Sequence, residues 1–286
     1  MTLQNMETPI VTLTTDWGDR DYFASMVKGL LTSRVPALRI VDLSHSQLWN
    51  DILRTVYIVR YGCLSFPQGT VHVIDVGYDE CAIDEDDRSV VQKSVLAVYR
   101  GHYFICSNRQ ILENAFEEQC DAVVELPMPT GGVAATFLAV QQYCGIVAAL
   151  FEGISIEQLG TPTNPVVHRN YALAYCYDDV IEAAVMNIDS YGNANLNISY
   201  SEFRDFAAGR RFRIDLILRR DGRDANGRGE RLVSITGISR HYSDVRMGEL
   251  LLTVSATGNL QLAINKGSAA RLVGLGVNSR CRFVFT

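Results

Sequence analysis

The sequence predicts an α/β protein in which an N-terminal α/β layer sandwich is followed by a C-terminal antiparallel β-barrel domain. Over the first 160 residues, short apolar runs alternate with helical stretches, which indicates repeated strand–helix–strand units. A stretch rich in Pro, Thr and Asn follows at 159–170. From about residue 172 the pattern changes to an alternation of period two with hairpin-like breaks. We therefore predict one domain at 8–165 and a second at 172–286.

The first domain begins with strands that are apolar throughout rather than alternating. Such runs are typical of parallel strands that are covered on both faces. Helical periodicity marks 22–33 and 50–62. The segment 94–107 is predicted to form two strands around a tight turn at Arg100-Gly101-His102. The predicted apolar strands are 10–15, 38–44 and 70–75.

The segment 126–151 carries no charged residue and approaches the length that spans a membrane. Two prolines, two glycines and the pair Gln141-Gln142 favour a loop followed by a buried helix instead. The N-terminus has no positive region followed by an apolar stretch, so we expect no signal peptide. The protein is predicted to be cytoplasmic, with no membrane partner.

The second domain is predicted from alternating segments that read as antiparallel strands. Between two of them lies the arginine-rich loop 219–231, which interleaves acids with its arginines. This mixture is typical of a solvated hairpin tip rather than of an RNA-binding surface. The predicted strand segments are 180–189, 211–220, 231–238, 249–264 and 281–286.

The composition is that of an ordinary globular protein, with 48% hydrophobic and 20% charged residues among 286. A net charge of −6 gives no indication of nucleic-acid binding. The seven cysteines form no CxxC pair and no group with histidines at zinc spacing. We expect reduced, mostly buried thiols and no metal site.

The candidate chemistry lies in acids and amides at strand ends. No phosphate-binding loop, dinucleotide fingerprint, serine elbow or HExxH pair is present. Asp16 and Asp75 both fall at the carboxyl ends of predicted strands, where open α/β sheets bind ligands. A carboxylate there can accept hydrogen bonds from the hydroxyls of a ribose or neutralise a cation. The alternative for Asp16 is a cap on the helix that begins near Tyr22.

A second cluster of acids and amides follows the predicted strand at 180–189. Asp189, Asn193 and Asn197 lie in this cluster, and Gly192-Asn193 is a turn signal. Taken alone, the cluster favours a plain β-turn over a binding site.

In order along the chain, several segments resemble the S-adenosylmethionine hydroxide adenosyltransferase family, which includes the fluorinases and chlorinases. The most specific are 12–29 and the turn Asp-x-x-Gly-Asn-x-x-x-Asn around residue 189. The resemblance spans nearly the whole chain. It implies an α/β domain, a β-barrel domain and a homotrimer whose ligand lies between the N-terminal domain of one subunit and the C-terminal domain of its neighbour. The turn lies in the matching segment 187–198, the intervening matches at 40–45, 66–75 and 135–140 are looser, and 258–270 also matches.

The resemblance also implies roles for individual residues. Asp16 would hold the ribose hydroxyls, and Phe137 would form a wall of the pocket around the reacting carbon. Asp21 and Asp189 would meet the ammonium of the methionine part. For adenine, the implied partners are the side chain of Asn193 and the backbone near Ala269. S-adenosylmethionine is then the substrate or ligand, and no cofactor is expected.

The family reaction is an attack of water or halide on the 5′ carbon, with methionine as the leaving group. Asp75 would be the catalytic residue, since hydrolytic members use an Asp, an Arg and a His. At the implied Arg and His positions this chain has Ala82 and Leu138. Arg88 could replace the Arg if the loop 78–88 folds back. The sequence thus leaves open a hydrolase, a non-catalytic binder of S-adenosylmethionine or adenosine, and a trimer in which these residues serve only the interface.

Overall fold

The computed structural model describes residues 8–46, 51–77, 94–127, 137–164, 173–216 and 234–286. Their contacts divide the chain into two compact units, Met1–Arg169 and Asn170–Thr286. The domain limits 8–165 and 172–286 stay predictions. Among the described residues, no helix has the length and apolar character that crossing a membrane requires. The arginine-rich loop 219–231 and the loop 78–88, which contains Ala82 and Arg88, lie outside the described residues.

The first unit is an α/β layer structure, so the predicted fold class is confirmed. Its three leading strands and two helices agree with the predicted ranges to within one or two residues at each end. In chain order the elements are β1 Ile10–Thr15, α1 Phe23–Arg34, β2 Arg39–Ser44, α2 Ile52–Gly62, a 3₁₀ turn Cys63–Ser65, β3 Val71–Asp75, β4 Val95–Tyr99, β5 His102–Cys106, α3 Arg109–Ala115, β6 Ala122–Glu125, a π-helical turn Ala139–Tyr143, α4 Cys144–Phe151, α5 Ile156–Leu159 and β7 Thr161–Pro162.

These strands form one seven-stranded sheet in the order β2-β1-β3-β5-β4-β6-β7. Strands β2, β1, β3 and β5 run parallel, and the remaining pairs are antiparallel. After β1 the chain adds β2 on one side and then returns to add β3 on the other. Such a reversal opens a crevice at the carboxyl ends of the central strands, the usual ligand position in open α/β sheets. The topology therefore points to the ends of β1 and β3.

Helices cover both faces of the parallel part of the sheet. On one face, α1 and α4 contact each other and share a hydrophobic cluster with Val11 and Leu13 of β1. Side chains alternate along a strand, so Thr12 faces the other side. There the thiol of Cys63, directly after α2, hydrogen-bonds Thr12, and α2 contacts α3. Both faces of β1 and β3 are buried, as the apolar strand pattern predicted, whereas β2 at the edge of the sheet is only partly buried.

Strands β4 and β5 form the predicted hairpin. Its two-residue loop, Arg100-Gly101, has a φ of 50° at the arginine and 78° at the glycine. Two consecutive positive φ values are typical of a type I′ turn, whose twist matches that of the flanking strands. Glycine adopts this conformation without strain, which explains its place in the loop.

The second unit is a curled antiparallel sheet, a half-barrel, in the order β11-β14-β9-β10-β13-β12, with β8 beside β9. Ile235 bridges Ile214 in β11, and Ile238 bridges Leu252 in β12. The sheet therefore curls until one segment joins its two outer strands. That segment, predicted as a strand at 231–238, forms only isolated bridges where it is described. The elements are β8 Tyr175–Tyr177, β9 Val180–Ile188, β10 Ala194–Ser199, α6 Tyr200–Ala207, β11 Phe212–Leu216, a 3₁₀ turn Tyr242–Asp244, β12 Leu250–Val254, β13 Asn259–Ile264, α7 Ala269–Val273 and β14 Arg280–Phe285.

Candidate functional site

Two carboxylates lie side by side where the first sheet reverses. Asp16 directly follows β1, and Asp75 is the last residue of β3. The strands pair Thr15 with Asp75, and the Asp16 N–H donates to the Asp75 carbonyl at 3.2 Å. The two acids that sequence reasoning placed at strand ends are therefore neighbours at the crevice.

Burial controls the ionisation of this acid pair. Burial, with a contribution from the nearby charge of Asp16, raises the pKa of Asp75 to about 6. Hydrogen bonds from the Trp17 indole, 2.9 Å from Asp75 Oδ2, and from Ser107 oppose the shift. Burial also raises the pKa of Asp16, against the Gly77 N–H that donates to Asp16 Oδ2 at 3.0 Å. A carboxylate with a pKa near 6 can exchange a proton close to neutral pH.

A row of aromatic rings runs from the acid pair to the surface. Phe137 makes edge contacts with Trp17 and with Phe23, each with ring centroids 5.1 Å apart. Phe23 stacks on Tyr22 at 4.6 Å, and Tyr22 is 62% exposed. The residue predicted to wall the reacting carbon thus contacts the indole that holds Asp75. This row gives the acid pair an apolar flank.

Sequence reasoning missed His45, which supports the same region from β2. Its Nδ1 lies 2.7 Å from Thr15 Oγ1, and its Nε2 lies 3.0 Å from Asp42 Oδ1. The imidazole stacks on Trp17 with centroids 5.9 Å apart. Because His45 directly follows β2, beside β1, the rule that located Asp16 could also have found it.

Asp21 and Leu138 are placed differently from the acid pair. Asp21 is exposed, and its Oδ1 accepts the N–H of Tyr22 at 2.7 Å. Tyr22 is the N-cap of α1, which has no side-chain cap, so the alternative that Asp16 caps this helix is wrong.

Leu138 is 3% exposed and belongs to the hydrophobic cluster of this unit. It precedes the π-helical turn, a local distortion that is frequent at functional sites.

In the second unit, the predicted acid and amide cluster forms the turn between β9 and β10. Asp189 Oδ1 accepts the N–H groups of Tyr191 and Asn193, each at 2.9 Å. Asp189 Oδ2 accepts the side-chain Nδ2 of Asn193 at 3.0 Å. Asn197 lies instead in β10, where the register of its pairing with β9 shifts, and its Oδ1 accepts the Ala184 N–H of β9 at 2.7 Å. The segment is therefore a real turn, and Asp189 organises it.

An open pocket of about 460 Å³ lies beside this turn, wholly within the second unit. Asn193, predicted to pair with adenine, contributes to its lining, as do two exposed tyrosines. Ala269, the first residue of α7, is fully buried, and the adjacent Ala270 N–H donates to the Gly192 carbonyl at 2.9 Å. The lining residues are Tyr191, Asn193, Tyr242, Ile264, Lys266, Gly267 and Ser268.

His72 and most of the described cysteines are buried in the core. His72 is buried between Thr12, with Oγ1 2.7 Å from Nδ1, and His102, 3.1 Å from Nε2. Burial, with some contribution from His102, lowers the pKa of His72 to about 3, so the ring stays neutral. Six of the cysteines are free thiols, five of them buried, as predicted. The described His, Cys, Asp and Glu side chains form no group that could hold a metal ion.

Comparison with known proteins gives matches along nearly the whole chain. The family model for the SAM hydroxide adenosyltransferase N-terminal domain matches residues 11–160, and that for the C-terminal domain matches 183–282. A Salinispora tropica protein named (R)-S-adenosyl-L-methionine hydrolase is 25% identical over 282 residues, covering 96% of this chain and 97% of that protein. A Thermus thermophilus protein of the same name is 24% identical over 278 residues, covering 91% and 93%.

Two solved structures are similar in fold. The crystal structure of an uncharacterized conserved protein from Thermotoga maritima has a TM-score of 0.74 at 18% identity, covering 96% of this chain and 99% of the other. That of a conserved hypothetical protein from Thermus thermophilus has a TM-score of 0.67 at 20% identity, covering 97% and 100%. At these identities the likeness concerns the fold alone.

Proposed function

The chain belongs to the SAM hydroxide adenosyltransferase family, and from this premise we propose that it binds S-adenosylmethionine and hydrolyses it to adenosine and methionine. Relatives at about a quarter identity are named as hydrolases of this compound. The observation that carries the proposal is the acid pair, Asp16 and Asp75, beside an aromatic wall at the reversal point of the sheet.

The proposed reaction is a displacement at the 5′ carbon of the ribose. The oxygen of water forms a bond to C5′ while the C5′–S bond breaks and its electron pair goes to sulfur. The sulfonium thereby becomes the neutral thioether of methionine, so no acid is needed at the leaving group. Asp75 accepts the proton of the water. Its pKa of about 6 leaves it ionised at neutral pH yet basic enough for this role.

The other predicted residues bind the substrate in this proposal. Asp16 accepts hydrogen bonds from the ribose hydroxyls, and charge assistance makes such bonds strong. Phe137 and Trp17 flank the reacting carbon and exclude bulk water. Asp21 meets the methionine ammonium, which its exposure allows.

Adenine binding is assigned to the pocket of the second unit. Asn193 supplies amide groups for the base edge, and the backbone near Ala269 completes the contact. As the resemblance implies, the assembly is a homotrimer in which each ligand meets the N-terminal domain of one subunit and the C-terminal domain of the next.

A second candidate function is a non-catalytic binder of S-adenosylmethionine or adenosine. The buried Leu138 favours it, because it directly follows Phe137 where the resemblance implies a histidine. Leucine can neither accept a proton nor orient a water molecule. In this alternative the nucleoside-binding residues remain and the water is not activated.

One set of measurements separates the candidates. Calorimetry with S-adenosylmethionine, adenosine and methionine should be combined with an assay for released adenosine. Adenosine release that Asp75→Asn abolishes supports the hydrolase. Binding without release supports the binder. If none of the three compounds binds, both candidate functions are wrong.

A further inference from the structure

The carboxylate of Asp189 is fully used by the chain itself. Its Oδ1 accepts the two backbone N–H groups described above. Its Oδ2 accepts hydrogen bonds from Asn193 Nδ2 at 3.0 Å and from Gln261 Nε2 at 3.3 Å. A carboxylate offers about four acceptor positions. Four donors from the protein therefore occupy it, which leaves little capacity for a ligand ammonium.

These bonds belong to a buried polar network behind the pocket. Gln261 is 4% exposed, and its Nε2 also donates to Asn195 Oδ1 at 2.9 Å. Its Oε1 accepts the hydroxyl of Tyr242 at 2.9 Å. Asp189 is thus bonded to Asn193 and to the backbone of Tyr191 directly, and to Tyr242 through Gln261. All three of these residues line the pocket.

The network fixes which way the Asn193 amide points. An ionised carboxylate only accepts hydrogen bonds, so the amide must turn its Nδ2 toward Asp189. The reversed amide would place Oδ1 against Asp189 Oδ2, which is repulsive. No partner for Asn193 Oδ1 is found among the residues that the structure describes. The amide is therefore left with one acceptor and one N–H in a fixed order.

This order matches the adenine base. Adenine presents its N6 amino donor beside a ring-nitrogen acceptor, which an asparagine amide can bind with both groups. Hypoxanthine has an oxygen at position 6 instead, so the fixed amide would set its Oδ1 against that oxygen. We propose that Asp189 is a positioning residue: it fixes the orientation of the Asn193 amide for binding adenine and does not contact the methionine ammonium. This inference rests on the proposed function.

The test compares Asp189→Asn with the wild type, using calorimetry with adenosine, inosine and S-adenosylmethionine. The new asparagine can still accept the two backbone N–H groups, so the turn should persist. With its Oδ1 on those N–H groups, its Nδ2 faces Asn193 as a donor and favours the reversed Asn193 amide. We expect the preference for adenosine over inosine to fall roughly tenfold or more, with adenosine and S-adenosylmethionine weakened alike. Asp205→Asn, an exposed acid on α6, is the control for loss of one charge.

Asn193→Ala provides a second test that does not depend on the folding of the first variant. It should remove the preference for adenosine, and combining it with Asp189→Asn should cause no further loss of that preference. A preference that survives Asn193→Ala overturns the inference. So does an Asp189→Asn protein that binds S-adenosylmethionine weakly but adenosine normally, since this outcome indicates an ammonium contact. If the wild type binds neither compound, the proposed function itself fails and the inference fails with it.

Discussion

At the scale of single residues, Asp75 combines a buried charge with a neighbouring acid. Because burial raises its pKa from 3.8 to about 6, the folded state binds more protons than the unfolded state between about pH 4 and pH 6. The free energy of unfolding therefore falls as the pH rises through this window. Asp75→Asn removes this loss, and we expect it to stabilise the protein at pH 8 by up to about 3 kcal/mol. Chemical denaturation measures this gain.

The same variant should behave differently in acid. At pH 4 the wild-type carboxyl is largely protonated when folded, so the two proteins should have nearly equal stability. Asp19→Asn, which replaces an exposed acid on the loop after β1, should change stability little at either pH. Equal stability of Asp75→Asn and wild type at pH 8 would show that Asp75 is not perturbed by burial.

For the wild-type protein, we expect the proposed hydrolysis to increase with pH through about pH 6 and then to level off. The reason is that only the ionised form of Asp75 can accept the proton of water. The measurement is kcat/KM for adenosine release between pH 5 and pH 8. A rate that is flat across this range contradicts the role of Asp75 as the base.

Asp16 provides a separate test at the binding step. Asp16→Ala removes the proposed acceptor for the ribose hydroxyls and should weaken adenosine binding by about tenfold or more. Asp16→Asn keeps an acceptor for the Gly77 N–H and should have an intermediate effect. Asp19→Ala is the matched control and should leave affinity unchanged. Equal affinities for all four proteins would exclude Asp16 from the binding site.

Sequence reasoning found Asp16 and Asp75 because both end strands of a parallel sheet, and such ends meet at one edge. It could not find the saturation of Asp189, which depends on the directions of N–H groups in a turn and on Gln261, 72 residues away. It also gave no reason to connect His45 with Trp17. Contacts of this kind depend on strand register and side-chain rotamers, which local patterns do not determine.

At the scale of elements, the turn after β9 packs tightly against the start of α7. Gly192 has a φ of 81°, and a Cβ there would lie 2.0 Å from Ser268 Oγ. Gly209, after α6, has a φ of 80° with no atom within 4 Å of its Cβ position. Gly209→Ala should cost about 1 kcal/mol from backbone strain alone. Gly192→Ala should cost more than this and weaken adenosine binding, as thermal unfolding and calorimetry would show.

Comparing Gly192→Ala with Gly209→Ala separates the cost of backbone strain from the cost of a steric clash with Ser268. Both substitutions force alanine into the left-handed region, whereas only Gly192→Ala creates a clash beside the pocket. Equal losses of stability, with adenosine binding intact in both, would mean that the close approach of the turn to Ser268 has no role in the pocket.

The apolar runs predicted the leading strands of the first unit well, because both faces of β1 and β3 are buried and β2 extends the same sheet. Helix α6 was missed, since the surrounding alternation suggested only strands. Its signal was present: Ser199 and Glu202 form a capping box, with reciprocal hydrogen bonds between side chain and backbone. The π-helical turn has no such local signal. It depends on how the segment packs against the sheet.

At the scale of the whole molecule, the homotrimer is the remaining structural prediction. Light scattering on the full chain should give three times the 31.8 kDa of one subunit. We expect this mass with and without S-adenosylmethionine, because the proposed ligand position needs two neighbouring subunits. A monomer that still releases adenosine would show that one chain suffices for the site. The sequence alone could suggest the assembly only through resemblance, since surfaces between copies leave no periodic pattern.

The bridges at Ile235 and Ile238 should protect the second unit against unwanted polymerisation. An unpaired outer strand exposes N–H and C=O groups that can recruit strands from other molecules. Here one segment occupies part of that edge on both β11 and β12. Disrupting it, for example with proline at position 235, should therefore appear first as turbidity in concentrated solution rather than as a change in ligand affinity.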